Sequence, residues 1–418
     1  SAMNKSEIIT LGCRLNKFES EIINGHVEAA DLNNTYIVNT CAVTCEAVRQ
    51  ARQEIRSLRR KRPDGKIIVT GCAAQIDPHS FSMMPEVDLV LGNEEKLNAE
   101  NYILDTKQDQ VFVSDIMKST KISGHSISRF RSRTRALIQV QQGCDHRCTF
   151  CIIPFGRGNS RSIPPDFLID QIRNLTRNGH KEFVLTGVDI SSYGHDFAEE
   201  STLGKMVCCL LDQVPTLERL RLSSLDPAVI DEALISSLAE YPRLMPHLHL
   251  SVQSGNDIIL KRMKRRHNRR NVADLCDRIR RVRPDIIFGA DLIAGFPTET
   301  EEMFQDTLKL VDEAGLTYLH VFPYSPRDGT PAVSMPQVPI GLRKERSKRL
   351  REKGNLAKTI YFDQLLGSKA NVLIEEKGRG YTEHYAPVQI SQKLESGYIH
   401  RLRITGHNNQ ILSAELLP

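Results

Sequence analysis

The sequence has no uninterrupted apolar segment that approaches the ~20 residues needed to span a membrane as a helix. No secretory leader is recognisable either, so we expect a cytoplasmic protein with no membrane partner. In that compartment, its ten cysteines predict metal or redox chemistry rather than a framework of disulfides. The net charge is only +5, so binding of a polyanion would depend on where the basic residues cluster and not on their total.

Size and composition are those of a globular protein with several domains. Hydrophobic residues make up 40% of the chain and charged residues 26%, which is ordinary for a folded protein in water. A chain of 418 residues is longer than one ordinary hydrophobic core supports. We therefore expect two or three domains.

Three cysteines stand close together at Cys144, Cys148 and Cys151, in the spacing C-x3-C-x2-C. Three thiolates on one short loop can hold three irons of a cubane [4Fe–4S] cluster and leave the fourth iron open to a small molecule. The apolar segment 136–140 predicts a strand before the loop, and catalytic groups of β/α barrels lie on loops that follow strands. A zinc site is the alternative, but zinc knuckles use C-x2-C pairs with two further ligands elsewhere. The spacing favours the cluster.

The first third of the chain alternates strand and helix and carries three more cysteines. Cys13, Cys41 and Cys72 each follow a segment with the apolar character of a short strand. The alternation predicts a small parallel α/β domain, in which the loops after successive strands meet at one edge of the sheet. Small thiols that simply pack at strand ends are the alternative. Because three cysteines occupy the same structural position, we expect them to converge as a second three-thiolate cluster site.

The rest of the chain predicts a second α/β unit and a small β-rich end. Between 96 and 135 the periodicity fades and Ser, Lys and Arg accumulate, which predicts a linker. Six strand–helix units then favour a partial, open barrel over a closed barrel of eight. The candidate strands after the cysteine loop are 182–186, 219–223, 247–252, 286–293 and 318–322. From Lys369, short alternating segments with turns at 378–380 and 406–409 predict an antiparallel barrel of about five strands.

These patterns resemble a known family. The C-x3-C-x2-C loop resembles that of the radical S-adenosylmethionine (SAM) superfamily, and segments 10–16, 39–44 and 71–75 resemble the three amino-terminal signatures of the methylthiotransferases. The terminal segments are similar to the TRAM domain that closes many of these enzymes. The domains that the resemblance implies are a methylthiotransferase amino-terminal domain at 3–122, a partial (β/α)6 radical SAM barrel at 130–360 and a TRAM-like RNA-binding β-barrel at 363–418.

The resemblance also implies the cofactors and their ligands. The ligand sets are Cys144, Cys148 and Cys151 for a [4Fe–4S] cluster that binds SAM, and Cys13, Cys41 and Cys72 for an auxiliary [4Fe–4S] cluster. The candidates for the SAM pocket, at the strand ends and beside the loop, are Phe150, Thr186, Gly187, Asp189, Ser224, Asp226 and Gln253. Gly187 would let the backbone approach the SAM amino group, and Phe150 would either cover the adenine or pack in the core.

The reaction implied by the resemblance is the transfer of a methylthio group to tRNA. One SAM donates methyl to sulfur on the auxiliary cluster, a second SAM is reductively cleaved, and the resulting radical takes hydrogen from adenosine C2. Segments 186–194 and 320–325 look most like the branch that acts on N6-threonylcarbamoyladenosine beside the tRNA anticodon. Methylthiolation of N6-isopentenyladenosine is the first alternative, and that of a ribosomal-protein aspartate is the second. A non-catalytic iron–sulfur RNA-binding protein is the alternative of another class.

The densest basic stretch runs from 261 to 270, and two further basic segments lie at 56–62 and 343–351. A solvated helix face is the ordinary interpretation, yet like charges this close together persist where a polyanion neutralises them. The residues of this stretch that we predict to contact RNA phosphates are Lys261, Arg262, Arg265 and Arg266. The expected partners are therefore the anticodon stem-loop of a tRNA and, for the cleavage of SAM, an external electron donor, with no DNA.

The remaining cysteines and histidines show no ligand spacing. Cys45 follows Cys41 by four residues, and positions i and i+4 share one face of a helix, but Cys45 lies outside the family pattern and we interpret it as a packed thiol. The cysteines predicted to be core or half-buried thiols are Cys208, Cys209 and Cys276. His247 and His249 alternate along a strand, where packing or substrate contact is favoured over metal binding.

Overall fold

The computed structural model describes residues 5–103, 110–120, 122, 124–125 and 134–418. Its first unit is a five-stranded sheet in the order β1-β2-β3-β4-β5, and every neighbouring pair is parallel. The strands are β1 Glu7–Thr10, β2 Thr35–Thr40, β3 Lys66–Gly71, β4 Leu89–Leu91 and β5 Val111–Phe112. The helices of this unit are α1 Arg14–Ala29, α2 Cys45–Lys61, α3 Cys72–Ile76 and α4 Pro78–Ser82. The parallel α/β unit expected from the sequence is confirmed.

Both faces of this sheet are covered, because successive side chains of a strand point to opposite sides. On β2, Val38 packs in one apolar cluster with Ile55 of α2. Its neighbour Ile37 packs on the other face with Ile23 of α1. All six residues of β2 are buried. Burial on two sides leaves the loops at the carboxyl edge as the accessible part of the sheet.

The second unit holds six parallel strands, as the sequence predicted. They are β6 Arg135–Gln139, β9 Glu182–Thr186, β10 Arg219–Leu222, β11 His247–Gln253, β12 Ile287–Ala294 and β13 Leu316–Pro323. Three of them form a sheet in the order β10-β9-β6 and the other three a sheet in the order β11-β12-β13. Two parallel bridges, Leu220 to Leu244 and Leu225 to Leu250, connect the sheets. The result is an open, partial barrel.

The second unit also contains the helices that connect its strands. They are α5 Ile153–Arg157, α6 Pro165–Arg177, α7 Leu203–Gln213, α8 Glu232–Glu240, α9 Asp257–Arg262, α10 Arg269–Val282 and α11 Glu301–Ala314. A short antiparallel pair, β7 Gln141–Gln142 and β8 Arg161–Ser162, flanks the cysteine loop. The core between strands and helices is one large apolar cluster, to which Leu15 and Phe18 of α1 also belong. Helix α1 therefore packs on both the first sheet and the barrel.

A long helix, α12 Ile340–Leu365, leads to a closed five-stranded barrel. Its strands are β14 Lys369–Ile374, β15 Arg379–Tyr381, β16 Pro387–Gln389, β17 Ile399–His407 and β18 Leu412–Leu416. Three expectations need correction. The turn predicted at 406–409 is partly strand, because Gly406 and His407 belong to β17. Segment 378–380 is not simply a turn, because Arg379 and Gly380 belong to β15. The barrel is not purely antiparallel either, since β16 pairs with β18 in parallel.

The closed barrel docks at the amino-terminal ends of the parallel strands. Arg221 of β10 donates hydrogen bonds to the carbonyl oxygens of Thr382 (2.7 Å) and Glu383 (2.9 Å). The ring of Tyr385 stacks on His247, the first residue of β11, with ring centroids 5.3 Å apart. This contact covers the end of the barrel opposite the cysteine loop.

The linker predicted at 96–135 lies partly outside the described residues, as does the predicted barrel start at residue 130. Within that range the structure describes short 3-10 turns at Ala99–Tyr102 and Ile116–Lys118 and the strand β5. Among the described residues, no helix combines the length and the apolar character needed to cross a membrane.

Candidate active site

The cysteine loop 144–151 lies between β7 and α5, at the carboxyl end of the parallel strands. Backbone hydrogen bonds fold it back on itself, from Cys151 N–H to the Cys148 carbonyl (3.1 Å) and from Cys144 N–H to the Gly158 carbonyl (2.9 Å). Gly143 before the loop has a φ of +77°, and a Cβ atom there would lie 2.0 Å from the Asn159 carbonyl oxygen. The glycine is therefore required to turn the chain, and the three thiols are held on one compact loop.

The chemistry of the three thiols fits an iron cluster. Burial, and next the carboxylate of Asp189, raises the pKa of Cys144 to about 12. Burial likewise raises the pKa of Cys151 to about 12. Thiols in such surroundings become thiolates only with a cationic partner, and a coordinated metal supplies one. Three thiols fill three of the four iron positions of a [4Fe–4S] cluster.

Asp189 organises polar groups beside Cys144. Its Oδ2 atom accepts a hydrogen bond from the Ser192 hydroxyl (2.7 Å) and lies 3.4 Å from Nε2 of His146. The same oxygen is 3.9 Å from Sγ of Cys144. Burial raises the pKa of this carboxyl above its ordinary value. Asp189 is therefore placed to bind a hydrogen-bond donor or a cation next to the open side of the loop.

The other predicted SAM residues lie at the same edge of the barrel. A Cβ atom on Gly187 would be 2.6 Å from the Gln141 carbonyl oxygen, so the chain passes β7 here at close range. Thr186, which ends β9, and Asp226 are both buried, whereas Ser224 is exposed. Gln253, half-buried with a φ of +71°, ends β11. All of these residues end or follow parallel strands, so they belong to the carboxyl edge of the barrel, as the cysteine loop does.

The Phe150 side chain packs against other apolar side chains. Its half-buried ring meets Phe296 edge to face, with centroids 6.3 Å apart. Both rings belong to a small apolar cluster with Met263 and Tyr324. This packing fixes the last turn of the cysteine loop.

The prediction that Arg265 contacts RNA phosphates from the surface is corrected. Only 9% of its side chain is exposed. Its guanidinium donates to the Ser251 carbonyl (2.6 Å) and to Sγ of Cys148 (3.5 Å), and it lies 3.7 Å from the Asp226 carboxylate. Helix α9 ends at Arg262, and the chain then turns so that this arginine points into the barrel.

The other three residues predicted to contact RNA phosphates are exposed: Lys261, Arg262 and Arg266. Arg262 donates a hydrogen bond to the Thr298 hydroxyl (2.7 Å). Arg266 lies 2.7 Å from Nε2 of His146 and 3.5 Å from the Asp226 carboxylate, at the rim of the cysteine loop. Arg266 is therefore the exposed cation that lies beside the cysteine loop.

The second set of cysteines meets at the carboxyl edge of the first sheet. Cys13 follows β1 and is exposed, whereas Cys41 after β2 and Cys72 after β3 are buried. A Cβ atom on Gly12 would lie 2.8 Å from Sγ of Cys41, so the β1 loop needs glycine to come this close. Burial, and further the neighbouring Cys72 and Cys13 thiols, raises the pKa of Cys41 to about 11. As with the loop in the barrel, the donor set fits an iron cluster.

The two cysteine sets are neighbours in space. Helix α5 follows Cys151 directly, and a Cβ atom on its Gly156 would lie only 3.1 Å from Cβ of Cys72. Asn93 links the same elements, because its amide donates to the Gly156 carbonyl (2.6 Å) and lies 3.6 Å from Sγ of Cys72. The first sheet thus presents its thiols to the mouth of the barrel.

A buried charge network beneath the second set was not found from the sequence. The guanidinium of Arg157 in α5 donates to the Glu19 carboxylate (2.5 Å) and to Oδ1 of Asn16 (2.5 Å), both in α1. Lys96 contacts the same carboxylate oxygen at 3.0 Å. Burial alone would lower the pKa of Arg157, but Cys72 and Glu19 hold it above its ordinary value. Two cations against one carboxylate leave positive charge that complements the neighbouring thiolates.

The interpretation of Cys45 as a packed thiol is wrong. Cys45 is exposed and is the first residue of α2, because Thr44 caps the helix by accepting a hydrogen bond from Ala47 N–H. Cys41 lies before the helix, so the two cysteines do not share a helix face. The Cys45 thiol lies 2.9 Å from the Pro326 carbonyl oxygen and 3.4 Å from Nη1 of Arg327.

The core and half-buried placement predicted for Cys208, Cys209 and Cys276 is confirmed. His247 packs on Tyr385, as strand packing predicted. His249 instead contacts an aspartate of the next strand, Asp291, at 2.8 Å.

Comparisons with known proteins agree with this architecture. A family model described as the radical SAM superfamily matches residues 138–311, and one described as uncharacterized protein family UPF0004 matches residues 5–92. The threonylcarbamoyladenosine tRNA methylthiotransferase MtaB of Rickettsia prowazekii is 51% identical over 403 residues, 96% of this chain and 95% of the relative. The chain belongs to the radical SAM tRNA methylthiotransferases. It is therefore an enzyme, a transferase.

More distant members of the family also span nearly the whole chain. The Thermotoga maritima protein of the same printed name is 38% identical and covers 92% of this chain and 90% of its own length. A tRNA-2-methylthio-N(6)-dimethylallyladenosine synthase of Staphylococcus aureus is 32% identical and covers 90% and 77%, respectively. Among solved structures, the radical SAM methyltransferase TsrM of Kitasatospora setae superposes with a TM-score of 0.58 at 15% identity, over 79% of this chain and 75% of that one. That likeness shows the fold.

Proposed function

We propose that this enzyme adds a methylthio group to C2 of N6-threonylcarbamoyladenosine beside the anticodon of a tRNA. The observation that carries the proposal is the neighbourhood of two three-cysteine sites, in which α5 joins the loop of Cys151 to Cys72. One such site suits the cleavage of SAM and the other the supply of sulfur. The relative from Rickettsia prowazekii, 51% identical over 96% of this chain, supports the choice of nucleoside.

In this proposal each cysteine set holds one [4Fe–4S] cluster. The ligands are Cys144, Cys148 and Cys151 for the SAM-binding cluster, and Cys13, Cys41 and Cys72 for the auxiliary cluster. When bound, clusters and SAM supply the radical that activates C2 and the sulfur that replaces its hydrogen. The residues assigned to SAM are Phe150, Thr186, Gly187, Asp189, Ser224, Asp226 and Gln253.

The protein itself positions these groups. Gly187 lets the chain after β9 pass close to β7, because a Cβ atom there would lie 2.6 Å from the Gln141 carbonyl oxygen. Asp189 and Asp226 offer carboxylates for amino and hydroxyl groups of SAM. Arg265 supports Cys148 and Asp226 together, and so links the cluster loop to the SAM pocket. Phe150 fixes the loop by packing on Phe296.

The proposed partners are the anticodon stem-loop of a tRNA and an external electron donor, and the proposed compartment is the cytoplasm. Anticodon bases can splay out into a pocket, unlike bases within an A-form helix. The exposed side chains of Lys261, Arg262 and Arg266 and the closed barrel at 363–418 would contact phosphates, while the pocket reads the base. We assign 3–122 to the auxiliary-cluster domain and 130–360 to the SAM domain. DNA is not an expected partner.

The deciding experiment measures turnover by the reconstituted enzyme on purified tRNA that carries threonylcarbamoyl, isopentenyl or no modification on the adenosine. We expect methylthio product only from the threonylcarbamoyl form, together with 5′-deoxyadenosine. Product from the isopentenyl form alone would assign the activity named for the Staphylococcus aureus relative. Activity only on a ribosomal-protein aspartate would remove the RNA assignment. Absence of 5′-deoxyadenosine with both clusters in place would make this a non-catalytic RNA-binding protein.

A further inference from the structure

Three potential metal ligands meet on three neighbouring strands of the parallel barrel. They are His249 of β11, Asp291 of β12 and His320 of β13. Nε2 of His249 lies 2.8 Å from Oδ1 of Asp291, and Nδ1 of His320 lies 3.4 Å from the same oxygen. The two imidazole rings have centroids 4.5 Å apart. One ligand atom from each residue falls within 4.8 Å of the others.

The register of three adjacent parallel strands builds this arrangement. Asp291 is directly opposite His320 in the β12–β13 pair, and His249 is opposite Gly289 in the β11–β12 pair. His249 is therefore paired two residues before Asp291 along β12, and its side chain extends toward the aspartate. A Cβ atom on Gly289 would lie 2.6 Å from Nδ1 of His249, so the glycine leaves the space that the ring occupies. The sequence provides both the ligands and the room for them.

The group formed by His249, Asp291 and His320 is open to solvent on one side. The exposed fraction of the side chain is 11% for His249, 22% for Asp291 and 64% for His320. A metal held by three protein ligands with an open side keeps positions for water or a substrate atom, as catalytic metal sites do.

We propose that His249, Asp291 and His320 form a third metal site, which binds one divalent transition-metal ion through two imidazole nitrogens and one carboxylate oxygen. This ligand set suits Zn²⁺, Fe²⁺, Co²⁺ or Mn²⁺ and is poor for Mg²⁺ or Ca²⁺, which prefer oxygen ligands throughout. The bound ion presents its open positions to the barrel interior, where an oxygen or sulfur atom of a substrate can occupy them. The inference does not depend on which nucleoside is the substrate.

The test measures metal binding by the cluster-reconstituted protein, independently of activity. The enzyme is incubated anaerobically with Zn²⁺ or Mn²⁺ and desalted, and its zinc, manganese and iron are counted; free Mn²⁺ is titrated in parallel by electron paramagnetic resonance. We expect one ion per chain beyond the unchanged cluster iron. His320→Ala should weaken its affinity by at least about tenfold, the loss typical of disturbing even an outer partner of a metal ligand.

His320 is the variant of choice because its exposed side chain can be removed without opening the core. His195→Ala, at an exposed histidine outside the cluster, is the matched control and should bind metal like the parent. Asp291→Asn should also lose the ion, with circular dichroism verifying that it folds. Failure of the parent protein to retain either ion, or equal retention by His320→Ala, would overturn the proposal and leave His249 and His320 as hydrogen-bond donors to Asp291.

Discussion

The Nη1 atom of Arg265 lies 3.5 Å from Sγ of Cys148, a residue 117 positions earlier in the chain. The same guanidinium faces the Asp226 carboxylate at 3.7 Å. A guanidinium is permanently charged, so it compensates the negative charge of a thiolate ligand as well as that of the carboxylate. Arg265 therefore belongs with the cysteine loop and not with the basic surface around it.

We predict that Arg265→Met lowers the rate of 5′-deoxyadenosine formation by about 10- to 100-fold, as for other outer partners of metal ligands. The salt dependence of tRNA binding should stay as it is, because this side chain does not reach the surface. The matched control is Arg270→Met, whose side chain is 88% exposed and which should leave the rate unchanged. If Arg265→Met formed 5′-deoxyadenosine at the parent rate and its tRNA affinity depended less on salt, Arg265 would be a residue of the RNA-binding surface.

Lys261 and Arg266 test the surface itself. Replacing either by Gln removes one exposed cation and should reduce the slope of log affinity for tRNA against log salt by about 1 for each lost phosphate contact. Discrimination between modified and unmodified tRNA should not change, because phosphate contacts carry little sequence information. Binding isotherms at several salt concentrations measure both quantities. Unchanged slopes in both variants would place the tRNA elsewhere.

The two cysteine sets predict opposite defects. Cys148→Ala should abolish 5′-deoxyadenosine formation. The auxiliary cluster should retain its iron in this variant, because the ligands of that cluster follow strands of a different sheet. Cys72→Ala should still form 5′-deoxyadenosine but yield no methylthio product. Iron and sulfide assays with electron paramagnetic resonance count the clusters. Cys45→Ala is the control, because this exposed thiol forms hydrogen bonds with Pro326 and Arg327. If it lost iron and product like Cys72→Ala, Cys45 would be a ligand.

Much of this site could be predicted because it is local in sequence. Cys144, Cys148 and Cys151 are close enough in sequence to lie on one loop. Cys13, Cys41 and Cys72 each follow a segment with the pattern of a strand, which places them at one edge of the sheet. The α/β order with six barrel strands and a small β-barrel follows from the same periodicity and is confirmed.

The features that could not be predicted depend on which way a side chain points and on contacts between residues far apart in the sequence. A run of basic letters does not reveal that Arg265 turns inward while Arg266 faces solvent. The pairing of Arg157 with Glu19 joins positions 138 apart. The sequence predicts a turn at Gly380, yet this residue lies in β15, where a Cβ atom would be 2.4 Å from the Leu373 carbonyl oxygen of β14. A glycine that a strand needs for close approach has the same letter as a glycine that a turn needs.

The buried network of Arg157, Glu19 and Lys96 predicts a stability effect. Arg157→Met leaves the side-chain Oδ1 atom of Asn16 without its donor and removes one cation from a fully buried group. Breaking such a pair costs about 3–5 kcal/mol, and we expect a loss near the lower end because Lys96 still contacts Glu19. Urea unfolding measures it, and Arg177→Met, at an exposed arginine of α6, serves as the control. Equal stability of the two variants would contradict the role given to Arg157.

Glu182 gives a pH-dependent prediction at the base of the barrel. Its fully buried carboxylate contacts Arg221 (2.8 Å) and Arg135 (2.7 Å). Burial alone would raise its pKa, but Arg221 and Arg135 outweigh burial and lower it to about 2 from an ordinary 4.5. Because the folded-state value is depressed, the carboxylate stabilises the fold above pH 4.5, and this contribution is lost as the pH falls toward 2.

Glu182→Gln should therefore lower the free energy of unfolding by about 3–5 kcal/mol near neutral pH, since the buried Arg219 and Arg221 and the half-buried Arg135 lose their common partner. The difference from the parent protein should shrink as the pH falls from 4.5 toward 2, where the parent's carboxyl is protonated as well. Urea unfolding of both proteins across this range measures the difference. Glu218→Gln, at a carboxylate 48% exposed and 3.9 Å from Lys181, should show almost none. A difference that stays constant with pH would mean that the loss comes from packing and not from the charge of Glu182.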